Sequence, residues 1–174
     1  MIPNRYKRYF ESSSDNEPWE EYCKRLNITE NEEKRYFIRH VLFDHFTNFT
    51  GRFPWFSLDS FTYGFENWGA SRIHETVKYD KGEELDFWYD HVKKNPDPRL
   101  TLLKYMIDEK TWPTPVVIFD FSENPEIIMN LGDRITAIHL IEGTHRVSYL
   151  KKMLITGQID GESKHSILTV KGIV

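Results

Sequence analysis

The run Trp112-Pro113-Thr114-Pro115 divides the chain into two stretches built from different side chains. Every Trp, and every aromatic residue except Phe119, Phe121 and Tyr149, lies at or before Trp112; the stretch after it is rich in Ile, Leu and Val. Two prolines so close together fit neither a helix interior nor a central strand, because each removes a backbone N–H and fixes its own φ. The sequence therefore predicts an α/β (α+β) protein, with a helical, aromatic-rich part over 1–112 and a β/α part over 113–174. The two parts are expected to pack as one compact unit on a small mixed sheet.

At 174 residues, 39% hydrophobic and 29% charged, the chain has the apolar content for a core and the length of one domain or little more. Its net charge of −4 repels polyanions, and neither stretch carries a basic excess, so nucleic acid is not the expected partner. Cys23 is the single cysteine, which excludes an internal disulfide and a Cys-based zinc site. The N-terminus has positive charge but no apolar run behind it, and no segment approaches the ~18 residues of a membrane span. A cytoplasmic protein with no membrane contact is expected.

Local patterns place the elements. Pro18 suits the first turn of a helix that Asn27 ends, and Thr29 with Glu32 has capping-box spacing ahead of apolar residues from Phe37 to Phe49. Phe53 to Trp68 is aromatic-dense without a clean period and is read as a short helix between loops. Helices follow over Glu83 to Lys93 and Arg99 to Asp108. Beyond the prolines come a buried strand at Val116 to Phe119, a short helix at Asn124 to Met129 and a strand at Ala137 to Ile141. A helix from Gly143 to Ile155 and a strand from His165 to Val170 complete the pattern.

One junction carries chemistry. In Ile141-Glu142-Gly143-Thr144-His145-Arg146 a strand stops at Gly, Thr144 is placed to cap the next helix, and His and Arg fall in its first turn. Backbone amides, a two-pronged guanidinium and the helix dipole then converge on a spot suited to a phosphate or carboxylate. The same residues also fit a plain helix start, with Arg146 in an ion pair with Glu142 or Asp120.

Apolar strand, Glu142, Gly143, one variable residue, His145-Arg146, a helix, and a His-led strand some twenty residues on resemble the ParB/sulfiredoxin-like domain, over roughly Thr114 to Val170. The resemblance implies that Gly143, Thr144, His145 and Arg146, with Glu142, meet the phosphates of a nucleotide. Sulfiredoxins carry a nucleophilic Cys immediately before the His-Arg pair; Thr144 stands there, which removes thiol repair chemistry. Chromosome-partition relatives carry a second Arg and a following helix-turn-helix domain; the sequence stops at Val174, and specific DNA binding is not expected. Free-serine kinases of this fold place an acid before the Gly, as Glu142 does, and need a further carboxylate that the sequence does not identify.

His139, Glu142, His145 and His165 form no recognised metal spacing, so no metal is expected. Ser57, Ser60 and Ser71 lie in no nucleophile elbow. The acidic side chains Glu83, Glu84, Asp86 and Asp90 fit either a solvated helix face or a surface that meets a basic protein partner. Size, acidic balance and the altered motif resemble bacterial toxin immunity proteins. This implies a non-enzymatic protein that neutralises a co-encoded toxin, one candidate being a nuclease. The alternative is a nucleotide-dependent enzyme, a small-molecule kinase or nuclease relative, using the Glu142 to Arg146 turn. No cofactor is expected beyond a nucleotide or phosphate there.

Overall fold

The computed structural model describes residues 1–9, 17–79, 87–94, 99–123, 126, 128, 131 and 135–172. The chain forms two compact units, Met1–Tyr63 and Gly64–Gly172, so the change in composition at Trp112 falls inside the second. Both helices and a four-stranded mixed sheet are present, an α+β fold. Among the described residues no helix is long and apolar enough to cross a membrane.

The first unit is helical. Helix α1 (Trp19–Leu26) ends where Asn27 turns left-handed at φ 49°, a conformation Asn tolerates because its short polar side chain bonds locally. Helix α2 (Glu32–Phe37) begins at Asn31, whose side chain accepts from Lys34 N at 3.0 Å. The cap is therefore Asn31 rather than the expected Thr29, because Asn31 stands directly before the first helical residue. A π-helical turn, Ile38–Phe43, leads into α3 (Asp44–Arg52). The aromatic rings of Phe37, Phe49, Phe53 and Phe56 pack at centroid separations of 5.0 to 5.5 Å and form much of this unit's interior.

Phe53 to Trp68 is not a helix. A short 3-10 turn at Leu58–Ser60 gives way to strand β1, Phe61–Gly69. Aromatic residues at every second position, Phe61, Tyr63 and Phe65, suit a pleated strand better than a helix turn.

In the second unit, α4 (Ala70–Thr76), α5 (Phe87–Lys94) and α6 (Arg99–Glu109) precede strands β2 (Val116–Asp120) and β3 (Ile138–Glu142). Helix α7 (Thr144–Ile155) and strand β4 (Lys164–Gly172) follow. The helix expected over 124–129 lies mostly outside the described residues, as do Glu83, Glu84 and Asp86. Sheet order is β1-β4-β2-β3, with β2 parallel to β4 and antiparallel to β3. Lys78 bridges the outer edge of β3 by donating to Ile138 O and accepting from Leu140 N.

The register sets Ile118 beside Thr169 on one side and Leu140 on the other, so these share a sheet face. Val116, Ile118, Leu140 and Ile167 on that face join Val147, Leu150 and Met153 of α7 and Leu103 and Met106 of α6 in a single core. On the opposite face Val117, Phe119, Leu168 and Val170 are also buried. β2 is thus buried on both faces, which explains its unbroken apolar run. The geometry of the sheet puts the Glu142 end of β3 beside the start of β2, and the Asp120 end of β2 at the opposite rim.

Candidate functional site

The strand-to-helix turn at 142–146 forms where expected, but its parts are used differently. Gly143 has φ 108° and ψ 24°, a backbone conformation that costs any L side chain, and it takes the N-cap position itself. Val147 N donates to Gly143 O at 3.0 Å, which closes the first helical turn. Thr144 is then already inside the helix and makes no cap bond. The expected Thr144 cap is corrected by this geometry: the left-handed turn is completed at Gly143, one residue before Thr144 could supply its hydroxyl.

Arg146 is buried, with 8% of its surface exposed. Its guanidinium donates to Thr114 O at 3.0 Å, to the Thr114 hydroxyl and to the Glu142 carboxylate. It therefore ties the end of β3 and the start of α7 to the segment that leads into β2. Asp120, the other acid considered for this pair, sits at the far rim. There it accepts from Ser122 N at 3.0 Å and Ser122 Oγ at 2.5 Å, with Lys171 Nζ 3.8 Å away. A phosphate at the start of α7 would have to compete with the carboxylate the chain itself supplies. The pair is charge-neutral, so the site's attraction for an anion falls to the dipole and to His145.

His145 faces away from that pair toward the helices. Arg99 Nη1 donates to His145 Nε2 at 3.4 Å, the Trp88 ring centroid is 4.5 Å from the imidazole, and Arg99 Cζ is 5.3 Å from the Trp88 centroid. α5, α6 and α7 thus meet at a half-buried His, Arg and Trp cluster. Nothing in the sequence marks it, because Trp88 and Arg99 lie far from the motif in the chain. Asp90, the described member of the acidic set, is exposed, with its carboxylate 3.8 Å from Lys152 Nζ.

The histidines do not converge. Among the described residues no group of three or more His, Cys, Asp or Glu side chains is placed to hold a metal. His165 is buried at the start of β4, with Nδ1 3.1 Å from Thr111 Oγ1 and the Trp112 ring 5.0 Å away; burial pushes its pKa down to about 4. His139 is buried on β3 near Thr136.

At the rim holding the carboxyl ends of parallel β2 and β4 is a polar network that the sequence did not suggest. Glu66 of β1 accepts from Trp68 Nε1 at 2.8 Å and from Thr169 Oγ1 at 3.0 Å, and its Oε1 is 3.0 Å from Lys171 Nζ. Burial opposes ionisation of Glu66, yet these hydrogen bonds hold its pKa below the usual glutamate value. Each of these groups meets another within the network, which therefore knits β1, β4 and β2 together.

No protein-family model, no curated protein and no solved structure matches this chain.

Proposed function

We propose that this protein works by binding rather than by turnover, neutralising a protein partner in the manner of the immunity proteins that accompany bacterial toxins. The observation that supports the reading is the internal closure of the Glu142 to Arg146 turn. A phosphate-handling site needs its arginine directed at the ligand, and Arg146 instead spends its donors on Glu142 and Thr114. The turn becomes a structural joint, and function falls to the surface. The partner is a co-encoded toxin, a basic nuclease being the type whose approach the net charge of −4 would steer. The site carries no catalytic residue in this reading.

Co-expression with the toxin encoded by a neighbouring gene tests it. Protection by the unmutated protein and by His145→Ala alike is the expected result. Absence of protection against any neighbouring gene product contradicts it.

One specific geometry favours a second reading, a nucleotide-dependent enzyme of the small-molecule kinase or nuclease type. His145, Arg99 and Trp88 bring an imidazole, a guanidinium and an indole together beside the motif. In that reading, adenosine triphosphate stabilises the fold in a thermal-shift titration and His145→Ala removes the effect.

A further inference from the structure

The loop that joins α7 to β4 frames an open pocket of about 520 Å³, lined by Lys110, Gly157, Gln158, Ile159, Asp160 and Ser163. It lies at the opposite end of α7 from the 142–146 turn. The loop is held in place before any ligand arrives. Ile159 is buried in the core of the second unit, and Gln158 N donates to Met153 O at 2.8 Å. Gly161 O and Ser163 O accept from Ser71 N and Ala70 N, each at 3.0 Å, which ties the loop to α4. Asp160 Oδ1 accepts from Glu162 N at 2.9 Å, Ser163 N at 2.8 Å and Ser163 Oγ at 3.3 Å. Preorganisation of this kind lowers what a ligand must offset on binding.

Three polar groups of the pocket are left over. Gln158 Oε1 is buried without a hydrogen-bond donor. An acceptor in that state has lost its water and gained nothing in return, a penalty that an N–H of a ligand would remove. Among the described residues every hydrogen bond to the Asp160 side chain goes to Oδ1, which leaves Oδ2 available. Among the same residues Lys110 makes no ion pair with Asp160 or with any other acid. Lys110 is the residue after α6, and Gly157 and Gln158 come just after α7, so the negative ends of two helix dipoles also border the pocket. The neighbouring charges in sequence, Asp108, Glu109, Glu162 and Lys164, are exposed and line no part of it.

We infer that this pocket takes a free amino acid, its ammonium group on Asp160 and Gln158 Oε1 and its carboxylate on Lys110. The lining carries one carboxylate and one ammonium that do not pair with each other. A simple anion would meet Asp160 and a simple cation would meet Lys110, whereas a zwitterion gives each its opposite charge. The buried Gln158 oxygen and the two helix ends call for a donor, which the ammonium group supplies. The site goes beyond the protein-binding proposal and does not depend on it.

The test is a two-dimensional amide NMR titration of the full 15N-labelled chain with L-alanine. The proposed contacts use only the groups common to all amino acids, so this probe suffices. N-acetyl-L-alanine, which lacks the ammonium charge, and L-alanine methyl ester, which lacks the carboxylate, are run beside it at equal ionic strength. Saturable shifts centred on Lys110 and residues 157–163 are expected with L-alanine, and at least ~10-fold weaker binding with either control. Asp160→Asn, which keeps an oxygen for the turn, and Lys110→Gly, which suits the φ of 60° at that position, should each weaken L-alanine at least ~10-fold. Equal binding of L-alanine and either control overturns the proposal, as do shifts centred elsewhere or no saturable shift at all. The unmutated protein alone decides this, whatever the stability of the variants.

Discussion

Val116 fills the space in which any side chain at residue 143 would begin: a Cβ on Gly143 would lie 2.5 Å from Val116 Cγ1 and 2.9 Å from Val116 Cβ. The first residue of β2 and the cap of α7 are therefore fitted to each other, and the glycine is demanded twice, by φ and by space. Gly143→Ala is expected to cost about 3 kcal/mol, combining a left-handed penalty of ~1–2 kcal/mol with overpacking. Adding Val116→Ala should relieve the overpacking share alone. Urea unfolding of the two single variants and the double variant checks this, and strict additivity would contradict the fitted contact.

Arg146→Gln should destabilise the fold by about 2–4 kcal/mol, since it strands a partly buried Glu142 carboxylate and the Thr114 acceptors. Replacing both partners, as Glu142→Gln with Arg146→Met, should cost less than Arg146→Gln alone. Denaturant midpoints report both. An Arg146→Gln variant as stable as the parent would mean that the guanidinium is not holding the joint.

The two cap positions should separate in the same assay. Asn31→Ala loses a real side-chain acceptor and should cost about 1 kcal/mol, whereas Thr144→Ala should stay within ~0.5 kcal/mol. The reverse order would restore Thr144 as the cap.

Much of this was legible along the chain. The apolar run of Val116 to Phe119 and the alternation at the end of the sequence named their strands because burial patterns are local, and Gly143 marked the turn into α7 because only glycine tolerates its φ. Strand β1 was missed because the aromatics around it are dense enough to blur a period of two, and strand pairing is decided by distant residues such as Thr169, whose hydroxyl donates to Gly64 O at 3.0 Å. At the candidate site the residues were legible and their partners were not. Glu142 and Arg146 are four apart across the strand-to-helix turn, which suggests a pair, but Thr114 comes from 32 residues away, and Arg99 and Trp88 from still further. Whether an arginine serves a ligand or the fold depends on those distant acceptors.

Stability should fall with acid through His165. Its folded pKa of about 4 lies below the ordinary value of 6.5, because burial disfavours the imidazolium. Between those values the unfolded chain takes a proton that the folded chain does not. The contribution is therefore complete above pH 6.5 and declines as the pH falls toward 4, by up to about 3 kcal/mol. His165→Gln should flatten the slope of unfolding free energy against pH within that window. An unchanged slope would show that His165 is protonated in the folded protein near its ordinary pKa.

Stoichiometry tests most directly whether the protein acts by binding. Under the proposed reading, purified protein is titrated into a fixed amount of a neighbouring gene's product that acts as a toxin while residual toxin activity is followed. Loss of activity should be linear and end at one molecule of protein per toxin, unchanged by His145→Ala and with no requirement for a nucleotide. Complete neutralisation by far less than one equivalent, dependent on a nucleotide and abolished by His145→Ala, would contradict this and make the protein an enzyme.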